Sequence, residues 1–129
     1  MTKTSTWRRN AGVLLILGSA SGTALAEIID IGWDANGRFE RTTTVAPGKF
    51  AEVCGPLRKG KAIEWAFDAD AALDFNIHYH QGKKVVFPAK QDAVVKRNGK
   101  LAVKRDQDYC WMWTNKSSSD VALRLTLKQ

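Results

Sequence analysis

The chain has two histidines, and they fall together at His78-Tyr79-His80. Successive side chains of a β-strand point to opposite faces, so His78 and His80 share one face with their Cβ atoms roughly 7 Å apart. Two imidazoles so placed can chelate Zn(II) or Cu(II). Asp74 and Asn76 fall on the same face and would add oxygen ligands. The competing interpretation is a solvated polar face with two ordinary histidines. Met112 is a further candidate ligand, because a thioether beside histidine and an indole suits Cu(I), a soft cation. Cys110 shares the Met112 face, but a cysteine held in a disulfide is a poor ligand, and Met112 also suits the filling of a gap in a core. The candidate metal residues are therefore His78, His80 and Met112, and copper or zinc is the metal they would take. No obligatory cofactor is implied.

Nothing else resembles catalytic machinery. The chain contains no G-x-S-x-G elbow, no H-E-x-x-H and no glycine-rich phosphate loop. Asp68 with Asp70, and Asp106 with Asp108, stand beside expected turns, where aspartate commonly serves its own backbone. No catalytic residue is assigned, and the expectation is a protein that is not an enzyme. Trp65, Trp111 and Trp113 belong to faces that suit a core, whereas Trp33 ends a strand and suits an exposed position. An aromatic surface for carbohydrate or peptide is the minor alternative use.

The N-terminus has the layout of an export signal. Lys3, Arg8 and Arg9 precede the apolar run Ala11 to Gly18, and Ala24-Leu25-Ala26 is an A-x-A cleavage pattern. Cleavage is expected after Ala26, leaving residues 27–129 as one β-sandwich domain. The apolar run is too short to span a bilayer, which needs about 20 residues, so no membrane span is expected after cleavage. The address is periplasmic or extracellular. Removing the signal takes away three of the 20 Lys+Arg and none of the 13 Asp+Glu, so 17 against 13 leaves +4. That modest charge, spread in short pairs such as Lys83-Lys84 and Lys96-Arg97, does not mark a nucleic-acid binder. Such pairs suit edge strands, where charge discourages sheet-to-sheet pairing. They also admit an anionic partner. Two cysteines in an exported chain point to one disulfide, Cys54–Cys110. It would close a loop of about 57 residues, worth roughly 4 kcal/mol in the chain-entropy model.

These residues are to be positioned by strands. Strands are expected at Glu27 to Trp33, Arg38 to Val45 and Lys49 to Cys54, the last stopped by Gly55-Pro56. Ile63, Trp65 and Phe67 alternate with polar neighbours, as do Leu73, Phe75 and Ile77, with Asp70-Ala71-Ala72 as a turn between them. Gln81-Gly82 reverses the chain into Lys83 to Phe87, which Pro88 ends. Short apolar pieces at Ala93 to Val95 and Leu101 to Val103 flank a turn at Asn98-Gly99. Tyr109, Trp111 and Trp113 mark the next strand. Val121, Leu123, Leu125 and Leu127 mark the last, after a polar turn at Asn115 to Ser119. The fold class is all-β, an antiparallel β-sandwich with one disulfide.

From about residue 49 to residue 129, roughly four fifths of the mature chain, the sequence resembles the GOLD domain, the β-sandwich of early-secretory-pathway cargo receptors. Cys54 matches the first cysteine of that domain. Tyr109-Cys110-Trp111-Met112-Trp113-Thr114-Asn115 matches its aromatic cysteine strand ending in Asn, and Val121-x-Leu123-x-Leu125-x-Leu127 its last strand. The coiled coil and membrane span of the receptors have no counterpart, so cargo reception does not carry over. The resemblance implies the sandwich, the same disulfide, and a non-enzymatic module that binds a protein or small ligand. The alternative is a periplasmic copper- or zinc-binding or delivery protein using His78 and His80.

Overall fold

Period-two alternation of apolar and polar residues makes one face of each strand adhesive, and these faces organise the chain. The computed structural model describes residues 26–129. The export signal assigned to residues 1–26 lies, but for Ala26, outside the described residues. Among the described residues seven strands are formed: β1 (Glu27–Asp30), β2 (Arg38–Val45), β3 (Phe50–Leu57), β4 (Ala62–Gln81), β5 (Lys84–Ala102), β6 (Gln107–Thr114) and β7 (Val121–Lys128). No described helix is long and apolar enough to cross a membrane.

The strands make one hydrogen-bonded sheet in the order β1-β3-β6-β4-β7-β2, with β5 on the remaining edge of β4. The sheet curls. The first part of β4 pairs with β7, from Glu64 opposite Lys128 to Ala69 opposite Leu123. Its second part pairs with β6, from Asp74 opposite Thr114 to His78 opposite Cys110. The two halves enclose a single core. The Phe67 ring of the first half lies 5.4 Å from Trp113 of the second, and 4.7 Å from Phe75. Burial of each such side chain is worth about 1.5–3 kcal/mol, which makes the inward set the main determinant of the fold. The result is sandwich-like, but it is one curled sheet rather than two separate ones. It is also not wholly antiparallel, because β1 runs parallel to β3.

The remaining corrections concern punctuation. Asp70-Ala71-Ala72 does not reverse the chain: β4 runs on through it, and the inward residues keep odd numbers from Ile63 to Ile77. The pairing of β4 with β5 is irregular there, which absorbs the change of neighbour. Asn98-Gly99 is not a turn either. Gly99 lies opposite Trp65, and a Cβ on it would sit 2.6 Å from the indole, so the glycine makes room for the ring. Pro88 stays within β5 near a register shift, on an edge strand that needs no outward N–H there. Gly55-Pro56 likewise continues β3. Beside Pro56 the parallel partner has ended, its last register pair being Asp30 with Cys54, so no partner requires the missing N–H. Trp33 is not an exposed strand end. It is half-buried against the core.

Candidate functional site

The outward face of β3, β6 and β4 carries the histidines. The inward residues Ala51, Val53, Trp111, Trp113, Phe75 and Ile77 fix which way their neighbours point. Register then sets the outward residues in rows. Cys54, Cys110 and His78 form one row across the three strands, and Glu52, Met112 and Asn76 form the next. Cys54 and Cys110 are bonded as a cross-strand disulfide with Cα atoms 4.1 Å apart.

His78 is only 6% exposed although it lies on the outward face. Its Nδ1 is 2.7 Å from Oδ1 of Asn76, and its Nε2 is 3.0 Å from Oε1 of Glu52. The His80 ring stands edge-on at 5.4 Å, exposed to solvent. Burial pushes the His78 imidazole below its ordinary value of 6.5, with the Glu52 carboxylate opposing and His80 adding to the shift. Glu52 had no signal in the sequence, because it comes from a strand two places away. Asp74 is on the same outward face but serves elsewhere. Its Oδ1 accepts the Ala93 N–H at 2.9 Å, and its Oδ2 pairs with Lys116 at 2.7 Å. Met112 is half-buried in the Glu52 row. Three of the four paired aspartates hold local structure. Asp68 and Asp70 clamp Arg124 at 2.6 and 3.0 Å, and Asp106 accepts the Lys59 N–H at 2.8 Å.

The same face continues onto the end of the β4–β5 hairpin. Val85 lies opposite His80. Phe87, whose ring is 6.0 Å from His78, follows it. Both are large apolar side chains left open, Val85 at 41% and Phe87 at 45% exposure. Lys90 places its ammonium 5.0 Å above the Phe87 ring. From residue 75 to residue 91 the chain has Lys83, Lys84 and Lys90 and no Asp or Glu. The hairpin end is thus an apolar pair on a lysine-bearing stretch, bordered at His78 by the Glu52 carboxylate.

Comparison with protein-family models and with curated proteins gives no match. Solved structures do match. PliG of Aeromonas hydrophila, a periplasmic lysozyme inhibitor of g-type lysozyme, superposes with a TM-score of 0.57 at 9% identity, over 81% of this chain and 96% of that one. PliG of Salmonella Typhimurium gives 0.57 and 9%, over 80% and 97%. The pre-peptidase C-terminal domain of a Bacillus anthracis collagenase gives 0.54 and 12%, over 80% and 94%. These likenesses show a shared β-sandwich-like fold. They do not show the GOLD assignment, which rests on the sequence resemblance alone.

Proposed function

We propose that this chain is an exported, non-enzymatic binding module whose partner is a protein with an acidic surface. One observation carries the proposal: the hairpin end leaves Val85 and Phe87 open on a stretch, residues 75–91, whose only charged side chains besides histidine are lysines. Open apolar side chains rimmed by charge are what interaction surfaces use, with aromatics as anchors. The lysine margin would steer an acidic partner and raise its association rate at low salt. Fold neighbours that inhibit lysozymes in the periplasm support a protein partner and that compartment, although fold alone never assigns a function.

The test is a binding measurement on the purified protein. A g-type lysozyme is the first probe, and proteins captured from an exported fraction are purified and titrated in turn. The expected result is a partner with Kd below about 1 μM, weakened roughly tenfold or more by Lys83→Glu with Lys84→Glu and by raised salt. A set of titrations with no such partner, or a partner indifferent to the charge reversal, contradicts the proposal.

A second reading is a metal-binding or delivery protein of the periplasm using His78 and His80. The 5.4 Å approach of the two rings favours it. Its test is titration of the disulfide-bonded protein with Cu(II), Cu(I) and Zn(II). Submicromolar binding abolished by His80→Ala is the expected result, and no binding below micromolar concentrations sinks it.

A further inference from the structure

Glu52, His78 and Cys110 bring one oxygen, one nitrogen and one sulfur to within 4.8 Å of one another. Cys54 is the direct cross-strand neighbour of Cys110 and is bonded to it, so opening the disulfide frees a second sulfur beside these three donors. Around a tetrahedral Zn(II), with bonds of about 2.0–2.3 Å, neighbouring donors lie roughly 3–4 Å apart. Glu52, His78 and Cys110 stand within about an ångström of that spacing, and the freed Cys54 thiolate on the neighbouring strand supplies the fourth donor.

The contacts of His78 also suit a metal ligand. A neutral imidazole carries one N–H, yet both ring nitrogens face oxygen acceptors, Asn76 Oδ1 at 2.7 Å and Glu52 Oε1 at 3.0 Å. With the proton on Nδ1 donated to Asn76, the Nε2 lone pair faces the Glu52 carboxylate. A metal ion placed there is bound by both, whereas in the metal-free protein Nε2–H donated to Glu52 serves the same contact. A ligating histidine that donates its other N–H to a fixed oxygen is the usual outer-shell arrangement of metal sites.

We propose that Cys54, Cys110, His78 and Glu52 form a thiol-gated Zn(II) site, closed while the disulfide stands and completed when a dithiol reductant opens it. The dithiol supplies two electrons and two protons. The S–S bond breaks, two thiols form, and the reductant is oxidised to its own disulfide. Zn(II) then displaces both thiol protons, and any proton held between Nε2 and the carboxylate, and takes the four donors. His80 has no part in this set, which separates it from the His78–His80 reading.

The experiment uses the full protein, reduced with a dithiol, freed of it without air, and titrated with Zn(II) against a chromophoric chelator. The expected result is 1:1 binding at least 100-fold tighter than that of the disulfide-bonded protein, with thiolate charge-transfer bands when Co(II) replaces Zn(II). Glu52→Gln and His78→Ala each weaken binding about tenfold or more, and His80→Ala leaves it unchanged. Glu52→Gln alters a half-buried surface position and keeps the test decisive if His78→Ala does not fold. Should reduction unfold the chain, recovery of strand signal on adding Zn(II) counts for the site, because metal binding then drives folding. A reduced protein that binds no tighter than the oxidised one, folded or not, overturns the proposal. So does wild-type affinity in both the Glu52 and His78 variants, which would leave the cysteines acting alone.

Discussion

Asn115 is wholly buried, and every polar atom of its amide is used. Its Nδ2 donates to the carbonyls of Val45 at 2.9 Å and Ser119 at 2.7 Å. Its Oδ1 accepts from the N–H and the hydroxyl of Ser117 at 2.9 and 2.7 Å. One side chain thereby ties the β6–β7 turn to the end of β2. Asn115→Ala leaves buried backbone groups without partners and is expected to destabilise the protein by about 2–4 kcal/mol, read as a lower urea midpoint. A change within about 0.5 kcal/mol would show the turn to be held by other contacts. The position was visible in the sequence as the Asn closing the aromatic strand, but its four bonds were not, since three of its partners lie in a turn of unknown shape and one at the end of β2. The histidines show the same division. His78 and His80 were legible as face-mates because a strand has period two, and Asn76 with them. Glu52 was not, because only strand register brings β3 to within reach of β4.

At the scale of elements, the β4–β5 hairpin is where local signals misled. Gly99, Pro88 and Asp70-Ala71-Ala72 look like chain reversals, yet each answers a need inside a long pairing: room for an indole, an edge position, a change of neighbour. The hairpin is pinned where its register shifts. Ala93 has φ of 54°, a left-handed conformation that costs a residue with a Cβ roughly 1–2 kcal/mol. Asp74 accepts the Ala93 N–H and holds it there. The ammonium of Lys116, and then that N–H, keep the Asp74 carboxyl below its ordinary value of 3.8. The folded chain therefore favours the charged form. The stabilisation is complete above 3.8 and is lost as pH falls through the lowered folded value. Asp74→Asn is thus expected to lower the urea midpoint at pH 7. The gap from wild type should narrow below pH 3.8, as the wild-type carboxyl takes its proton. A gap that does not change with pH would show that the charge of Asp74 is not what stabilises the hairpin.

The whole molecule was legible in class and not in connection. An all-β chain follows from inward apolar residues at every second position, and the Cys54–Cys110 bond from two cysteines in a chain expected to be exported. The order of strands, the parallel β1–β3 pair and the curl of one sheet into two facing layers depend on which adhesive faces meet, which no local pattern records. Likeness to other sandwiches at 9–12% identity fits that physics, since alternation and core volume persist when residue identities do not. Among the described residues Ile28, Val85, Phe87 and Val95 are large apolar side chains left exposed, and Val85 and Phe87 stand together at the hairpin end. The most direct measurement is the Kd of the purified partner for wild-type protein and for Val85→Ser with Phe87→Ser, alongside the thermal midpoint of each. Both side chains are open to solvent, so the fold should survive their loss. The predicted result is affinity weakened about tenfold or more with a midpoint within a few degrees of wild type. Equal affinity for the two proteins would contradict a binding surface at the hairpin end.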